Sequence, residues 1–279
     1  MVRLYMLPLT SSDNLTYPCV DVGEDVKVGV CKMITEEERE KMFDTFKETL
    51  ARYNFDWKSL QAIMATTGAV ISGSTALAVL LGGEFVPQDL DIYVNTKGFT
   101  AILGFLMDHG YHMVIPYPHY KKKYSNSKRI LTLKRDGEKI DLIGTEVHVL
   151  TAITEFHSTA VMNYIAFYGI VCLYPEWTMR RNSLVAKTNT PYKILSKYRG
   201  RGFKIEYAPA KLANYDVKHN CGKHICCPKM ERDLRDGFSL FIPFQVDDRD
   251  TNIHKFEENE KMRLQWILKD VRECRTWVE

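Results

Sequence analysis

The sequence predicts an α/β (α+β) fold in which helices flank a mixed sheet, followed by a helical C-terminal part. Three observations support this prediction. Apolar residues recur at helical spacing in residues 36–53, whereas "GAVIS" (68–72) is a short apolar run typical of a buried strand. Residues 128–144 alternate polar and apolar side chains around Asp136-Gly137, which is the pattern of a hairpin. From Val147 onward the apolar spacing becomes helical again.

The predicted elements follow in order along the chain. Thr35 is expected to cap the helix over 36–53, whose first turn is acidic, and a second helix is expected from Trp57 to Met64. The next predicted elements are a strand over 68–72, a helix over 74–81 ended by Gly82-Gly83, a strand over 89–94, a helix over 99–109, a strand over 111–116 and the hairpin over 128–144. The predicted division is an irregular segment 1–34, an α/β core 35–146 and a helical region 147–279 with a basic segment.

Composition limits the class of protein. The 279 residues are 45% hydrophobic and 26% charged, which suits one large globular domain or two smaller ones. A net charge of +3 is too small to indicate a nucleic-acid binder, so only local basic clusters support that function. The odd number of cysteines, seven, and the lack of a signal peptide predict an intracellular protein, cytoplasmic or nuclear. No apolar stretch approaches the ~20 residues of a membrane span.

Two aspartates lie inside a predicted buried strand. Asp89 and Asp91 are two residues apart, so their side chains point to the same face. Like charges on one face repel, and burying either one without a partner is costly, so a fold accepts this arrangement mainly when a cation lies between them. Asp141, on the second arm of the predicted hairpin, alternates with Ile140 and Leu142 and offers a third carboxylate.

Gly73 and Ser74 begin the predicted helix that precedes these aspartates. Gly73 lets the backbone approach a phosphate closely, and Ser74 places a hydroxyl beside the unpaired N–H groups of the first turn. Asp89 and Asp91 can bridge two Mg²⁺ (or Mn²⁺) ions that bind a triphosphate. Asp141 would complete the first metal site and assist deprotonation of an attacking hydroxyl.

The order Gly-Ser, helix, Asp-x-Asp and a later acidic residue resembles the polymerase β-like nucleotidyltransferase superfamily over about residues 55–190. Residues 73–94 are also similar to the opening of abortive-infection toxin nucleotidyltransferases. "ITEFHSTAVMNYIAFYGIVCLYPEWT" (153–178) and "KYRGRGF" (197–203) resemble uncharacterised fungal proteins, mostly from basidiomycetes, and this similarity continues to about residue 245.

The superfamily resemblance implies a nucleotidyltransferase fold and an NTP–Mg²⁺ site. It implies roles for five residues: Gly73, Ser74, Asp89, Asp91 and Asp141. The implied reaction moves NMP from an NTP to a hydroxyl and releases pyrophosphate. The acceptor stays open among an RNA end, a second nucleotide, a protein side chain and a small molecule. One alternative is a non-catalytic module that binds nucleotide or nucleic acid, and another is a structural protein without nucleotide.

Further candidates come from the second half of the chain. His157 and Ser158 are expected on a helix after the third carboxylate, where they either bind the nucleotide or belong to a helix-packing segment. Basic residues alternate with aromatic ones in 119–129 and 197–204, a pattern that suits either phosphate contact with stacking or a solvated loop. Lys187 or Lys197 could meet the triphosphate, and the sequence does not select between them.

A cluster of histidines and cysteines lies in residues 218–233. His219, Cys221, Cys226 and Cys227 have the short spacing of a structural Zn²⁺ site, although the spacing matches no standard zinc finger. A comparable cluster occurs in cyclic GMP-AMP synthase of the same superfamily. The alternative is a loop of reduced cysteines that bind no metal.

Overall fold

A computed structural model describes residues 34–114, 127–212, 222, 227–234, 236, 238–244 and 265–268. Its helices are α1 (Glu36–Arg52), α2 (Trp57–Thr67), α3 (Gly73–Leu80), α4 (Phe99–Asp108), α5 (Val149–Thr154), α6 (Pro175–Thr178) and α7 (Tyr192–Arg199). Its strands are β1 (Val70–Ser72), β2 (Leu90–Asn95), β3 (His112–Met113), β4 (Ser127–Arg135), β5 (Glu138–Thr145), β6 (Asn163–Ala166), β7 (Gly169–Cys172), β8 (Asn182–Leu184), β9 (Lys204–Glu206), β10 (Arg232–Asp233), β11 (Leu240–Pro243) and β12 (Gln265–Trp266). No helix in these ranges combines the length and apolar character needed to cross a membrane.

Eight strands form one mixed sheet flanked by helices, which confirms the predicted α/β class. The strand order is β11-β7-β6-β1-β2-β5-β4-β3. Strands β2 and β5 are parallel, whereas the other neighbouring pairs are antiparallel. A parallel pair needs a crossover connection, and here α4, β3 and β4 lie between β2 and β5 in the chain. The strands that carry Asp91 and Asp141 are therefore direct neighbours, and Asp89 lies one residue before β2.

Separate apolar cores cover the two faces of the sheet. Helices α1, α2 and α4 contribute to one core, which includes Ile71 and Ile92. Helices α5 and α6 contribute to the other core, which includes Val70 and contacts Tyr93. Because successive side chains of a strand point to opposite faces, the burial of Ile92 in the first core directs Asp91 to the opposite face.

Helix α3 lies inside the molecule, with all eight of its residues buried. A helix that is apolar on all sides belongs in the interior. It begins at Gly73, directly after β1, and its C-terminal end is followed by Gly82 and Gly83 with φ of 61° and 77°. The predicted Gly-Gly stop is therefore confirmed, since glycine adopts this backbone region without the steric cost of a Cβ.

The predicted N-terminal cap and hairpin are also confirmed. The Thr35 hydroxyl accepts a hydrogen bond from the Glu38 backbone N–H at 3.1 Å, and the Glu38 carboxylate accepts one from the Thr35 N–H at 3.0 Å. This reciprocal pair is a capping box. Asp136 and Gly137, with φ of 50° and 87°, form the two-residue turn between β4 and β5.

The predicted helical C-terminal part is wrong for the described residues after 147. Helix α5 ends at Thr154, and β6 and β7 then form a hairpin that joins the main sheet. Every residue of these two strands is buried, so their apolar runs lack the usual alternation, and periodicity does not distinguish such a strand from a buried helix. The sheet contains strands from both sides of the predicted 146/147 boundary, and the division into domains stays a prediction.

Candidate functional site

Three carboxylates converge at the parallel pair β2–β5. Asp91 and Asp141 are paired in register, and paired residues of neighbouring strands point to the same face of the sheet. Asp89, Asp91 and Asp141 are half-buried, and each offers one carboxylate oxygen within 4.8 Å of the other two. The predicted convergence is therefore confirmed. A donor set made of oxygen atoms alone suits a hard divalent cation such as Mg²⁺ or Mn²⁺.

The crowding of these carboxylates changes the chemistry of Asp91. Burial, followed by the negative charges of Asp89 and Asp141, raises the pKa of Asp91 to about 7. The positive charges of Lys139 and Lys197 act in the opposite direction. A cation bound between the carboxylates would favour the charged form of Asp91, so this site is suited to bind one.

The raised pKa of Asp91 predicts a pH dependence of stability in the absence of divalent cations. Between its ordinary pKa of 3.8 and about 7, the folded protein binds more protons at this group than the unfolded chain does. The contribution of Asp91 to the free energy of unfolding is therefore expected to fall as pH rises through this interval and to level off above it. Urea unfolding in EDTA at pH 4 to 8 measures this effect as the difference between wild type and Asp91→Asn. Parallel pH profiles for the two proteins would contradict the prediction.

Gly73 lies directly against one of the three carboxylates. Its φ is 67°, and a Cβ built on it would lie 2.2 Å from Oδ2 of Asp91. The sequence predicted a close approach to a phosphate at Gly73, whereas the neighbour in the structure is Asp91. The adjacent Ser74 is buried, and its Oγ has no hydrogen-bond partner among the described residues. A buried hydroxyl without a partner costs roughly 1–3 kcal/mol, so a ligand that bonds to it would be favoured.

Lys139 and Thr132 contact the carboxylates, and the sequence analysis selected neither of them. Lys139 Nζ lies 2.6 Å from Asp141 Oδ2 and 3.2 Å from Asp89 Oδ2, and the Thr132 hydroxyl donates to Asp141 Oδ1 at 2.6 Å. Burial lowers the pKa of Lys139, but its contacts with the two aspartates raise the pKa more, and the net change is upward. Lys139 precedes Asp141 by two residues in the same strand. This spacing predicts that the two side chains point to the same face of the sheet, so the contact was visible in the sequence.

His157 and Ser158 do not lie on a helix, which corrects the sequence prediction. They follow α5, and Ser158 forms an isolated β-bridge with Val185. His157 Nδ1 and Ser158 Oγ are buried and have no hydrogen-bond partner in the part of the chain that is described. The His157 carbonyl accepts a hydrogen bond from the Lys187 N–H at 3.3 Å. Burial, followed by the charges of Lys187 and Lys197, lowers the pKa of His157 to about 4, so its imidazole is neutral at pH 7.

Basic residues of α7 and the turn after it lie near the carboxylates. Burial of the Lys197 ammonium and the charge of Arg201 lower the pKa of Lys197, while Asp89 and Asp91 act in the opposite direction. The Arg201 guanidinium, which the sequence analysis did not single out, lies 3.8 Å from the ring centroid of Phe85. The charge of Lys197 therefore acts on Asp91, and the charge of Asp89 acts on Arg201.

Most of the predicted zinc loop lies outside the described residues. This applies to three of its four predicted ligands, His219, Cys221 and Cys226. Cys227 is buried, and its Sγ accepts a hydrogen bond from the Gly222 N–H at 3.2 Å. The zinc site stays a prediction. Residues 119–126 of the first basic stretch and the N-terminal segment before Ile34 also lie outside the described part of the chain.

Neither a protein-family model nor a curated protein matches the chain. It is similar to a solved structure of a "tRNA-processing enzyme (apo form I)", with 17% identity over 61% of this chain and 43% of that one, and a TM-score of 0.37. It is also similar to the Thermotoga maritima CCA-adding enzyme complexed with tRNA, with 16% identity over 50% of this chain and 35% of that one, and a TM-score of 0.37. A third similar structure is a CCA-adding enzyme with ATP, with 16% identity over 57% of this chain and 41% of that one, and a TM-score of 0.38. The chain thus spans less than half the length of each of these proteins.

Proposed function

We propose that this protein is a metal-dependent nucleotidyltransferase that moves NMP from an NTP to a hydroxyl acceptor and releases pyrophosphate. The observation that carries this proposal is the meeting of Asp89, Asp91 and Asp141 beside the start of α3. The oxygen donors of these carboxylates suit Mg²⁺ or Mn²⁺. At the same place, Ser74 offers a buried hydroxyl without a partner in the described chain, and Gly73 leaves the space that the Asp91 carboxylate needs.

The three aspartates would hold the metal ions. When bound, the ions supply positive charge that stabilises the α-phosphate and the leaving pyrophosphate. The Ser74 hydroxyl and the first N–H groups of α3 bind phosphate oxygens. The acceptor oxygen forms a bond to the α-phosphorus while the bond from that phosphorus to pyrophosphate breaks. Asp141 accepts the proton that the acceptor hydroxyl loses.

We propose further contacts to the nucleotide from two lysines and from His157 and Ser158. In this proposal Lys197 or Lys187 binds the triphosphate, and the interaction of the Lys197 charge with Asp89 and Asp91 supports Lys197. His157 is neutral, so it can donate one hydrogen bond and accept another, and Ser158 adds a hydroxyl beside it. An RNA end or a small molecule would serve as the acceptor. The lysines and arginines of 180–204 support RNA as a partner, because Lys and Arg contacts to phosphates supply most of the non-specific affinity for nucleic acids.

Nucleotide binding at this site predicts a thermal shift. At NTP–Mg²⁺ concentrations near 100 times Kd, the melting temperature of wild type is expected to rise by about 5 °C or more. The double variant Asp89→Ala/Asp91→Ala is expected to stay folded and to lose this rise, because both bridging carboxylates are gone. Differential scanning fluorimetry with and without NTP–Mg²⁺ measures both quantities.

Asp44→Ala is a suitable control for the double variant, because it removes an exposed carboxylate that pairs with Lys47 on α1. This control is expected to keep the full thermal rise. If the double variant keeps the rise as well, the nucleotide binds elsewhere and the site proposed here is wrong.

A non-catalytic nucleotide-binding module is a second candidate function. The ion pairs of Lys139 with Asp89 and Asp141 favour it, because an internal ammonium neutralises part of the acidic cluster without a metal. Such a module would show the thermal rise with NTP–Mg²⁺ but release no pyrophosphate. Both candidate functions therefore predict binding of NTP–Mg²⁺, but only the enzyme predicts release of pyrophosphate.

A further inference from the structure

An internal cation lies among the acidic residues. Lys139 Nζ contacts Asp141 Oδ2 at 2.6 Å and Asp89 Oδ2 at 3.2 Å, so one ammonium joins carboxylates from two parts of the chain. Lys139 shares β5 with Asp141 and lies two residues before it, so both side chains point to the same face. The Lys139 side chain keeps a third of its surface exposed.

A divalent cation held by the three aspartates needs the carboxylates that Lys139 contacts. Their oxygens lie within 4.8 Å of one another, so a cation bound to all three lies close to the position of the ammonium. Two positive charges at such a separation repel strongly, and the ammonium already contacts Oδ2 of both Asp89 and Asp141. Full contacts of both cations with Asp89 and Asp141 at the same time are therefore unfavourable.

We infer that Lys139 competes with the divalent cation for Asp89 and Asp141 and keeps the nucleotide-free site poor in metal. Its flexible four-carbon stem and exposed surface let the ammonium withdraw towards solvent when the metal binds. An NTP carries its own phosphate oxygens as metal ligands, so we expect nucleotide to raise the affinity of the site for the metal. The inference rests on the proposed function only in requiring a divalent cation at the three aspartates.

The test is a Mn²⁺ titration of the nucleotide-free protein by calorimetry. Lys139→Met keeps a chain of similar length without the charge, and it is expected to bind Mn²⁺ roughly tenfold more tightly than wild type, or better. Lys139→Arg keeps the charge and is expected to bind Mn²⁺ weakly, as wild type does. Lys134→Met is the control, because exposed Lys134 lies on β4 opposite Lys139 of β5 and its loss removes the same charge from the neighbouring strand.

A second readout separates competition from a structural role. In EDTA, Lys139→Met is expected to melt at a lower temperature than wild type, because the carboxylates lose their internal counter-ion. Saturating Mn²⁺ is expected to restore the variant, so its metal-induced rise in melting temperature exceeds that of wild type. A purely structural lysine would lower the melting temperature by the same amount with and without Mn²⁺.

The possible outcomes are distinguishable. Equal or weaker Mn²⁺ affinity in Lys139→Met, with binding intact in wild type, would overturn the competition and leave the proposed function untouched. Absence of Mn²⁺ binding in all variants, with and without nucleotide, would overturn both. Tighter binding in Lys139→Met together with no nucleotidyl transfer by wild type would support the competition and reject the enzyme.

Discussion

Asp91→Asn is expected to lower the rate of nucleotidyl transfer by about a thousandfold or more. The substitution keeps the size of the side chain and removes the charge that holds the metal. Metal stabilisation of transition-state charge is worth several kcal/mol, and each ~1.4 kcal/mol changes a rate tenfold. Some NTP binding should persist through Ser74 and the nearby lysines, so the loss is expected in kcat more than in KM. Pyrophosphate release under saturating NTP measures the rate.

Unfolding would not explain such a loss. Asp91→Asn removes the charge that burial and two like-charged neighbours destabilise, so the variant is expected to be at least as stable as wild type at pH 7 in EDTA. Asp108→Asn, an exposed aspartate at the end of α4, is the matched control and should keep full activity. Turnover in Asp91→Asn within tenfold of wild type would show that Asp91 does not hold the catalytic metal.

Gly73→Ala is expected to damage the site more than the same substitution at another glycine of nearly equal φ. Gly73 and Gly68 have φ of 67° and 66°, so alanine incurs a similar backbone cost of about 1–2 kcal/mol at both. At Gly68 a Cβ meets nothing within 4 Å, whereas at Gly73 it would lie 2.2 Å from the Asp91 carboxylate. Overpacking of this kind adds about 1–3 kcal/mol and pushes Asp91 out of position.

The pair of glycine variants separates backbone strain from the contact with Asp91. Urea unfolding in EDTA should rank the proteins in the order wild type, Gly68→Ala, Gly73→Ala. The thermal response to NTP–Mg²⁺ should be intact in Gly68→Ala and clearly smaller in Gly73→Ala. Equal responses in the two variants would mean that the contact between Gly73 and Asp91 does not matter for binding.

The acidic site could be predicted from the sequence because its geometry is local. In the predicted strand over 89–94 the two-residue spacing of Asp89 and Asp91 fixes a common face, although Asp89 precedes β2 by one residue in the structure. The alternation around Asp141 fixes the face of its strand. The pairing of β2 with β5, which brings Asp91 beside Asp141, is a long-range fact that a single strand does not encode. Only the order of motifs in the superfamily that the chain resembles indicated it.

Other parts of the structure were missed for identifiable reasons. Strands β6 and β7 are buried on both faces, so their apolar runs were interpreted as helix. This error also placed His157 and Ser158 on a helix. Lys139 was missed although its two-residue spacing from Asp141 is visible in the sequence, because a protonated lysine is not a metal ligand. Arg201 comes close to the site only through the fold of α7 and the turn after it.

The most direct test of the proposed function follows label from the α-phosphate of each NTP in turn. Wild-type protein is incubated with Mg²⁺ or Mn²⁺ and a panel of acceptors that includes total RNA and small hydroxyl compounds. A nucleotidyltransferase is expected to label at least one acceptor in an amount equal to the pyrophosphate released, and Asp91→Asn is expected to transfer almost none. Wild-type protein that binds NTP–Mg²⁺ but releases no pyrophosphate with any acceptor would contradict the enzyme and leave the binding module.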